Sequence, residues 1–263
     1  MIKRGKSEVL RHTFYVDDTV ADAGTVTVTV TDEADTQVFT GSAIKTGNEY
    51  SFTLPGQATL GRLAIEWNGS LLDDTSAEEV IGSYLFELAE LREIFVARDF
   101  KKAYSNSLLR DIRDQVTETF ESVANLSFVE RRKTVRVSVV AGQAFLPVVA
   151  VRQVLTVDGE SFTGDFTPNG WVDGLTGSSA TVTYEHGLDG GVTAEAKGMA
   201  LELAVHLTGA QAKKTPDNAE QLTDATTGNT YRLSLVGTRG IEVPVPRVDA
   251  FLKRIKFDVP GVA

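Results

Sequence analysis

Three histidines, His12, His186 and His206, are the side chains best suited to proton transfer or metal ligation near neutral pH. They fall in an alternating stretch, in the turn His186-Gly187-Leu188-Asp189-Gly190-Gly191 and in an alanine-rich stretch, with no shared spacing. Each is therefore expected to be structural or exposed. The glycines of that turn are those of a phosphate loop, but no Gly-Lys-Thr or Gly-Lys-Ser follows, so a tight turn is expected. The chain also has no Gly-x-Ser-x-Gly elbow and no His-Glu-x-x-His pair.

Two carboxylate pairs, Asp17-Asp18 and Asp73-Asp74, have the chemistry to bind a hard cation such as calcium. Adjacent acids in loops are more commonly solvated turns, and no metal or cofactor is expected. The densest basic cluster is Arg131, Arg132 and Lys133 with Arg136. It can face DNA or an acidic partner, or be the solvated end of a strand. A second basic group, Lys253, Arg254 and Lys256, ends at Phe257. These are surfaces rather than a reaction centre, and the expectation is an interaction protein, not an enzyme.

Composition narrows the classes further. The 263 residues, 42% hydrophobic and 24% charged, suffice for one large domain or two ordinary ones. Cysteine is absent, which excludes disulfides and thiolate metal sites. The basic start Met1 to Lys6 is not followed by an apolar signal core, and the apolar run Val137 to Val151 is too short to span a bilayer. A cytoplasmic protein with no membrane partner is expected. Residues 1–88 carry 6 basic and 14 acidic side chains, a balance of −8, whereas residues 89–263 carry 20 and 22, a balance of −2. So acidic a chain is ill suited to dedicated nucleic-acid binding. The asymmetry points to two units.

The elements that must position these groups divide at Leu88. Before it, Leu10 to Val16, Thr25 to Thr31, Glu49 to Leu54, Arg62 to Trp67 and Glu79 to Glu87 read as strands separated by turn residues, forming a small β-sandwich. After it, Leu88 to Phe95 and Ala97 to Tyr104 read as short helices. Ser107 to Ala124 carries Leu108, Leu109, Ile112, Val116, Phe120 and Val123 on one helical face, with Ser105 or Ser107 as its cap and Asn125 as its left-handed end. Strands are expected at Thr134 to Val140, Gln143 to Pro147, Val151 to Val157, Trp171-Val172, Ala180 to Tyr184 and Thr230 to Leu235. A second helix is expected over Thr193 to Leu207 and a short one over Val248 to Phe257. Thr208 to Asn229 has no usable period and reads as a long loop or arm.

Several of these segments, in order, carry a family likeness: Phe120-Glu121-Ser122-Val123-Ala124, Leu126 to Arg132, Phe145 to Val154, Val157-Asp158-Gly159, Ala180 to Gly187, the alanine-rich helix, Gly228 to Leu233 and Val245 to Asp249. Together they resemble the head-to-tail adaptor (connector) proteins of long-tailed bacteriophages. Residues 1–88 look like the immunoglobulin-like modules appended to some phage structural proteins. The fold this resemblance implies is α+β and multidomain: an all-β sandwich over 1–88, then a mainly helical connector domain over 89–263 with a small sheet or hairpin and a flexible arm at 208–229. The implied function is a virion structural protein, formed in the host cytoplasm and placed at the head-to-tail interface. It would be a ring of about twelve copies beneath the portal protein. Implied partners are the portal, a stopper or tail-completion protein, neighbouring copies, the major capsid protein through the sandwich, and genomic DNA passing without sequence specificity. Lys253, Arg254, Lys256 and Phe257 then become candidates for portal or neighbour binding, and Arg131, Arg132, Lys133 and Arg136 for the DNA lumen or a partner. A tail or baseplate module whose sandwich recognises host-surface glycan or decorates the capsid is the alternative. A hydrolase with an unrecognised site is the third reading.

Overall fold

The computed structural model describes residues 1–97, 104–188, 191–213, 221–223, 230–232 and 243–257. Its first unit is built from Ile2–Lys3 (β1), Glu8–His12 (β2), Tyr15–Val16 (β3), Thr19–Val20 (β4), Val26–Thr31 (β5), Gln37–Ser42 (β6), Ile44–Thr46 (β7), Glu49–Leu54 (β8), Gly61–Gly69 (β9) and Asp73–Ile81 (β10). Strict alternation in β5 buries Val26, Val28 and Val30 and turns the threonines outward, because side chains two apart share a face. The same rule buries Leu63, Ile65 and Trp67 of β9 and Tyr50, Phe52 and Leu54 of β8. A five-stranded sheet, β1-β10-β9-β5-β6, and a three-stranded sheet, β2-β8-β7, enclose these residues in one core. The chain changes sheets at Ala43, between β6 and β7. The last strand is Asp73–Ile81 rather than Glu79 to Glu87. Its first half, Asp73-Asp74-Thr75-Ser76, is too polar to read as a strand and is held by pairing with β9.

Gly82 to Glu87 leave the sandwich, and Tyr84, Leu85 and Phe86 enter a second core. That core is formed by four helices, Leu88–Ala97 (α1), Asn106–Ala124 (α2), Ala194–Lys213 (α3) and Pro246–Ile255 (α4). In α2 the apolar stripe is buried from Leu109 to Val123 as its period requires, with Leu108 half-buried at its start. Ser105 Oγ accepts from Leu108 N at 3.2 Å, and Asn125 closes the helix at φ +51°. The Pro246 ring supplies the fixed φ of a first helical turn in α4.

A third core overturns the expectation of a mainly helical connector domain with a small sheet. The described residues are about 38% strand and 25% helix, with four helices, so they are mostly β. Between α2 and α3 lie Arg131–Ser138 (β11), Gln143–Phe145 (β12), Val151–Val157 (β13), Glu160–Ser161 (β14), Trp171–Asp173 (β15) and Ser179–His186 (β16). They form a four-stranded sheet, β11-β16-β13-β14, and a two-stranded one, β12-β15. Leu146, Val172, Val182 and Tyr184 are the most deeply buried side chains of their shared core. The physical reason is that β16 buries every second residue from Ala180 to His186 and takes β11 on one side and β13 on the other. What reads as separate short strands is therefore one packed unit.

The expected loop at Thr208 to Asn229 also differs. α3 continues to Lys213, with Thr208 fully buried and its hydroxyl donating to Ala204 O at 2.7 Å. Gln221–Thr223 (β17) pairs antiparallel with Thr230–Arg232 (β18). Residues 214–220 and 224–229 of the expected arm lie outside the described residues, as do 98–103 and 233–242. Among the described residues no helix is long and apolar enough to cross a membrane.

Candidate interaction site at the junction of the three units

The three units meet around Arg131, the first residue of β11. It is 7% exposed. Burial alone would disfavour its charge, but Glu121 of α2 and Glu79 of β10 flank it and raise its pKa. Its Nε donates to Glu121 Oε2 at 2.8 Å, its Nη1 pairs with Glu79, and its Nη2 lies 3.4 Å from Met1 Sδ. Glu121 also accepts from Ser127 Oγ at 2.8 Å and Phe128 N at 3.1 Å, so it fixes the turn between α2 and β11.

Beside this cluster, the Met1 amine sits 2.8 Å from both Glu78 and Asp114. Burial opposes its charge, but Asp114 and Glu78 outweigh that and hold its pKa above the usual range. Arg113, 3% exposed, stacks on the Tyr84 ring at 3.4 Å and donates to Asp114 at 3.3 Å. Arg4 and Arg152 both pair with Glu130, and Lys3 with Glu87 at 2.9 Å. The contacts of Arg131 and of the Met1 amine join segments from different units. These act as fixed joints, because a buried cation cannot lose its partners without being stranded.

The basic cluster is therefore not one patch. Arg131 is consumed by the junction, since position 131 lies on the inward face of β11. Arg132 points to the other face and pairs with Glu185 at 3.0 Å. Arg136 is exposed and donates to Ser179 Oγ at 3.0 Å. Lys133 is exposed and makes no ion pair among the described residues. At the C-terminal group, Lys253 pairs with Asp249 at 2.7 Å and Arg254 with Glu195 of α3 at 2.6 Å. Lys256 is exposed, and Phe257 is 46% exposed. The Phe257 backbone is tied to the end of α2, its N–H donating to Ala124 O at 2.9 Å. The two candidate groups are thus brought to opposite ends of the α2 turn.

A cleft of about 500 Å³ opens beside the junction, lined by Glu118, Glu121, Asn125 and Leu126 on the helix side and by Arg131, Lys133, Pro147, Val148, Val149 and His186 on the β side. His186 is 3% exposed, and its Nε2 is buried without a hydrogen-bond partner. Burial first, then Lys133 and Arg131, lower its pKa to about 3. Neighbouring Tyr184 has a buried hydroxyl, also without a partner, pushed up to about 12 by burial. Neither group is poised for proton transfer near pH 7. Among the described residues no group of three His, Asp or Glu side chains is placed to hold a metal ion. His12 stacks on Trp67 and pairs with Asp74, and His206 is exposed on α3. Of the turn 186–191, residues 189 and 190 lie outside the described residues.

The His186 environment has a measurable result. Folded His186 stays neutral down to about pH 3, whereas the unfolded side chain protonates near 6.5. The unfolded state thus binds the extra proton between these values. The stability from this site is complete above about pH 6.5 and falls as pH drops, by up to about 1.4 kcal/mol per pH unit. Urea midpoints measured from pH 7 to 4 should fall less steeply for His186→Phe than for the parent chain; equal slopes would refute the assignment.

Sequence reasoning missed Arg113, which reads as part of the charged face of α2, and the acids Glu78, Glu79 and Asp114. No local signal marks them. Their partners come from segments as many as 113 positions away. No protein-family model matches the chain, and no curated protein matches it at a significant level.

Proposed function

We propose that the chain is a structural subunit of a bacteriophage virion, a head-to-tail adaptor that joins the portal to the stopper or tail around a passage for DNA. One observation supports this reading above the others. The segments that carry the resemblance to adaptor proteins fall on α2, the turn after it, β12, β13, β16, α3, β18 and α4; those on α2, the turn after it, α3 and α4 contribute to the single helical core, and those on β12, β13 and β16 to the core of the β unit. They are the scaffold of the molecule, not scattered decoration. The buried charges beside that core are spent on holding units together, as a load-transmitting part requires. Within this reading, the exposed Lys133 and Arg136, rather than the buried Arg131, face passing DNA, and the exposed end of the chain at Lys256 and Phe257 faces the portal.

The test is composition and position. Particles of the phage that encodes the chain should contain it in a ring between portal and tail. Mixing purified chain with its portal should give a complex detectable by native mass measurement. Absence from the particles, together with failure to join the portal, would sink the proposal.

A further inference from the structure

The strands of the sandwich run between two ends of different character. At one end the β5–β6 turn and the start of β9 face the second β unit, where Glu33, Gly61 and Arg62 line a groove with Arg132 and Thr134. The nine residues of β9 carry the chain roughly 30 Å to the other end. There the hairpin β3–β4 projects, with Tyr15 62% exposed, Val16 46% and Val20 42%. Leu71, 70% exposed, is held beside its base by its N–H to Ala23 O at 3.2 Å. An isolated two-stranded hairpin is marginal in water, and this one leaves its apolar side chains in solvent.

Its turn residues are a second, independent observation. Asp17 and Asp18 stand at φ +49° and +60°, the left-handed pair of a type I′ turn. Asn-Gly meets that geometry better, and two adjacent carboxylates repel each other. Turn formation alone does not account for the charge at this position. Asp22 is engaged by Lys45 at 2.6 Å and Tyr50 at 2.6 Å, whereas neither Asp17 nor Asp18 makes an ion pair among the described residues.

We propose that this end of the sandwich is a docking knob for another protein of the particle, one presenting lysine or arginine side chains around an apolar recess. Tyr15, Val16 and Val20 would fill the recess, and Asp17 and Asp18 would meet its basic rim. Acidic charge on the knob also excludes acidic surfaces, including that of a second sandwich. The inference rests on the reading of the chain as a virion component.

The test is zero-length carbodiimide cross-linking, which joins carboxylates to lysine amines, on purified particles containing the full-length chain. Expected are cross-links from Asp17 or Asp18 to a lysine of a different protein, lost in particles carrying Asp17→Asn and Asp18→Asn. Asparagine keeps the left-handed turn, so that loss reports the carboxylates and not a broken hairpin. In co-expression, a chain with Asp17→Lys and Asp18→Lys should enter particles at least roughly tenfold less than the parent chain. The inference is overturned if exposed Asp111 or Glu118 cross-link while the knob does not, if the reversed chain competes equally, or if the knob binds a host glycan instead. Absence of the chain from the particles would overturn the functional reading, and this inference with it.

Discussion

Replacing Arg131 by methionine should cost about 3–5 kcal/mol of folding stability, because it leaves Glu79 and Glu121 facing each other at a buried junction without a cation. Methionine keeps much of the packing volume, so the loss reports charge more than cavity. For a chain of this size the melting temperature should fall by about 6–20 °C. The control is Arg136→Met, one face over and exposed, expected to stay within about 0.5 kcal/mol. Adding Glu79→Gln to the Arg131 variant should restore part of the loss, since it removes one stranded charge. Equal midpoints for parent and Arg131→Met in urea would show that the junction tolerates the unpaired acids and is not a fixed joint.

The second large effect is expected at Gly187. Its φ is +126°, where L-residues are strained, and a Cβ there would lie 2.3 Å from Val129 O and 2.8 Å from Val129 C. Both are backbone atoms of the turn between α2 and β11, so no side-chain rotation relieves the collision. Gly187→Ala should therefore cost at least about 3 kcal/mol, combining backbone strain with displacement of that turn. Gly159→Ala separates the two contributions. Its φ is +87° with nothing within 4 Å of the added atom, and only the conformational cost of about 1 kcal/mol is expected. If thermal unfolding shows the two variants equally destabilised, the close approach at Val129 is not what requires glycine at 187.

Much of the local structure is legible in the residues themselves. The stripe of α2, its serine cap and its asparagine end follow from spacing and side-chain chemistry that act within one turn of helix. The alternation of β5 and β16 is equally direct. What is not legible depends on partners distant in sequence. Asp73 to Ser76 becomes strand only because β9 lies beside it. The alternating segments after Arg131 look like an appended hairpin until β16 gathers β11 and β13 into a sheet with its own core. The candidate site shows the same limit more sharply. Four basic residues close together suggest a cationic surface, but alternation along β11 sends neighbours to opposite faces, and burial turns Arg131 from a binding group into a strut. Nothing near position 113 in the chain signals that its guanidinium stacks on Tyr84.

The strand order β11-β16-β13 also has a consequence for how the protein is made. β11 and β13 do not pair with each other; each is completed by β16, the last long strand of that unit to leave the ribosome. Until His186 emerges, two strands separated by only the β12 segment have no correct partner, and their open edges are the kind that pair with the wrong chain. The sandwich ahead of them closes earlier, with β10 completed at Ile81, and its strong negative charge is already folded and in solution while they wait. A tethered, acidic, folded neighbour repels other nascent copies of itself, so the leading unit acts as a built-in solubility aid during synthesis of the one behind it.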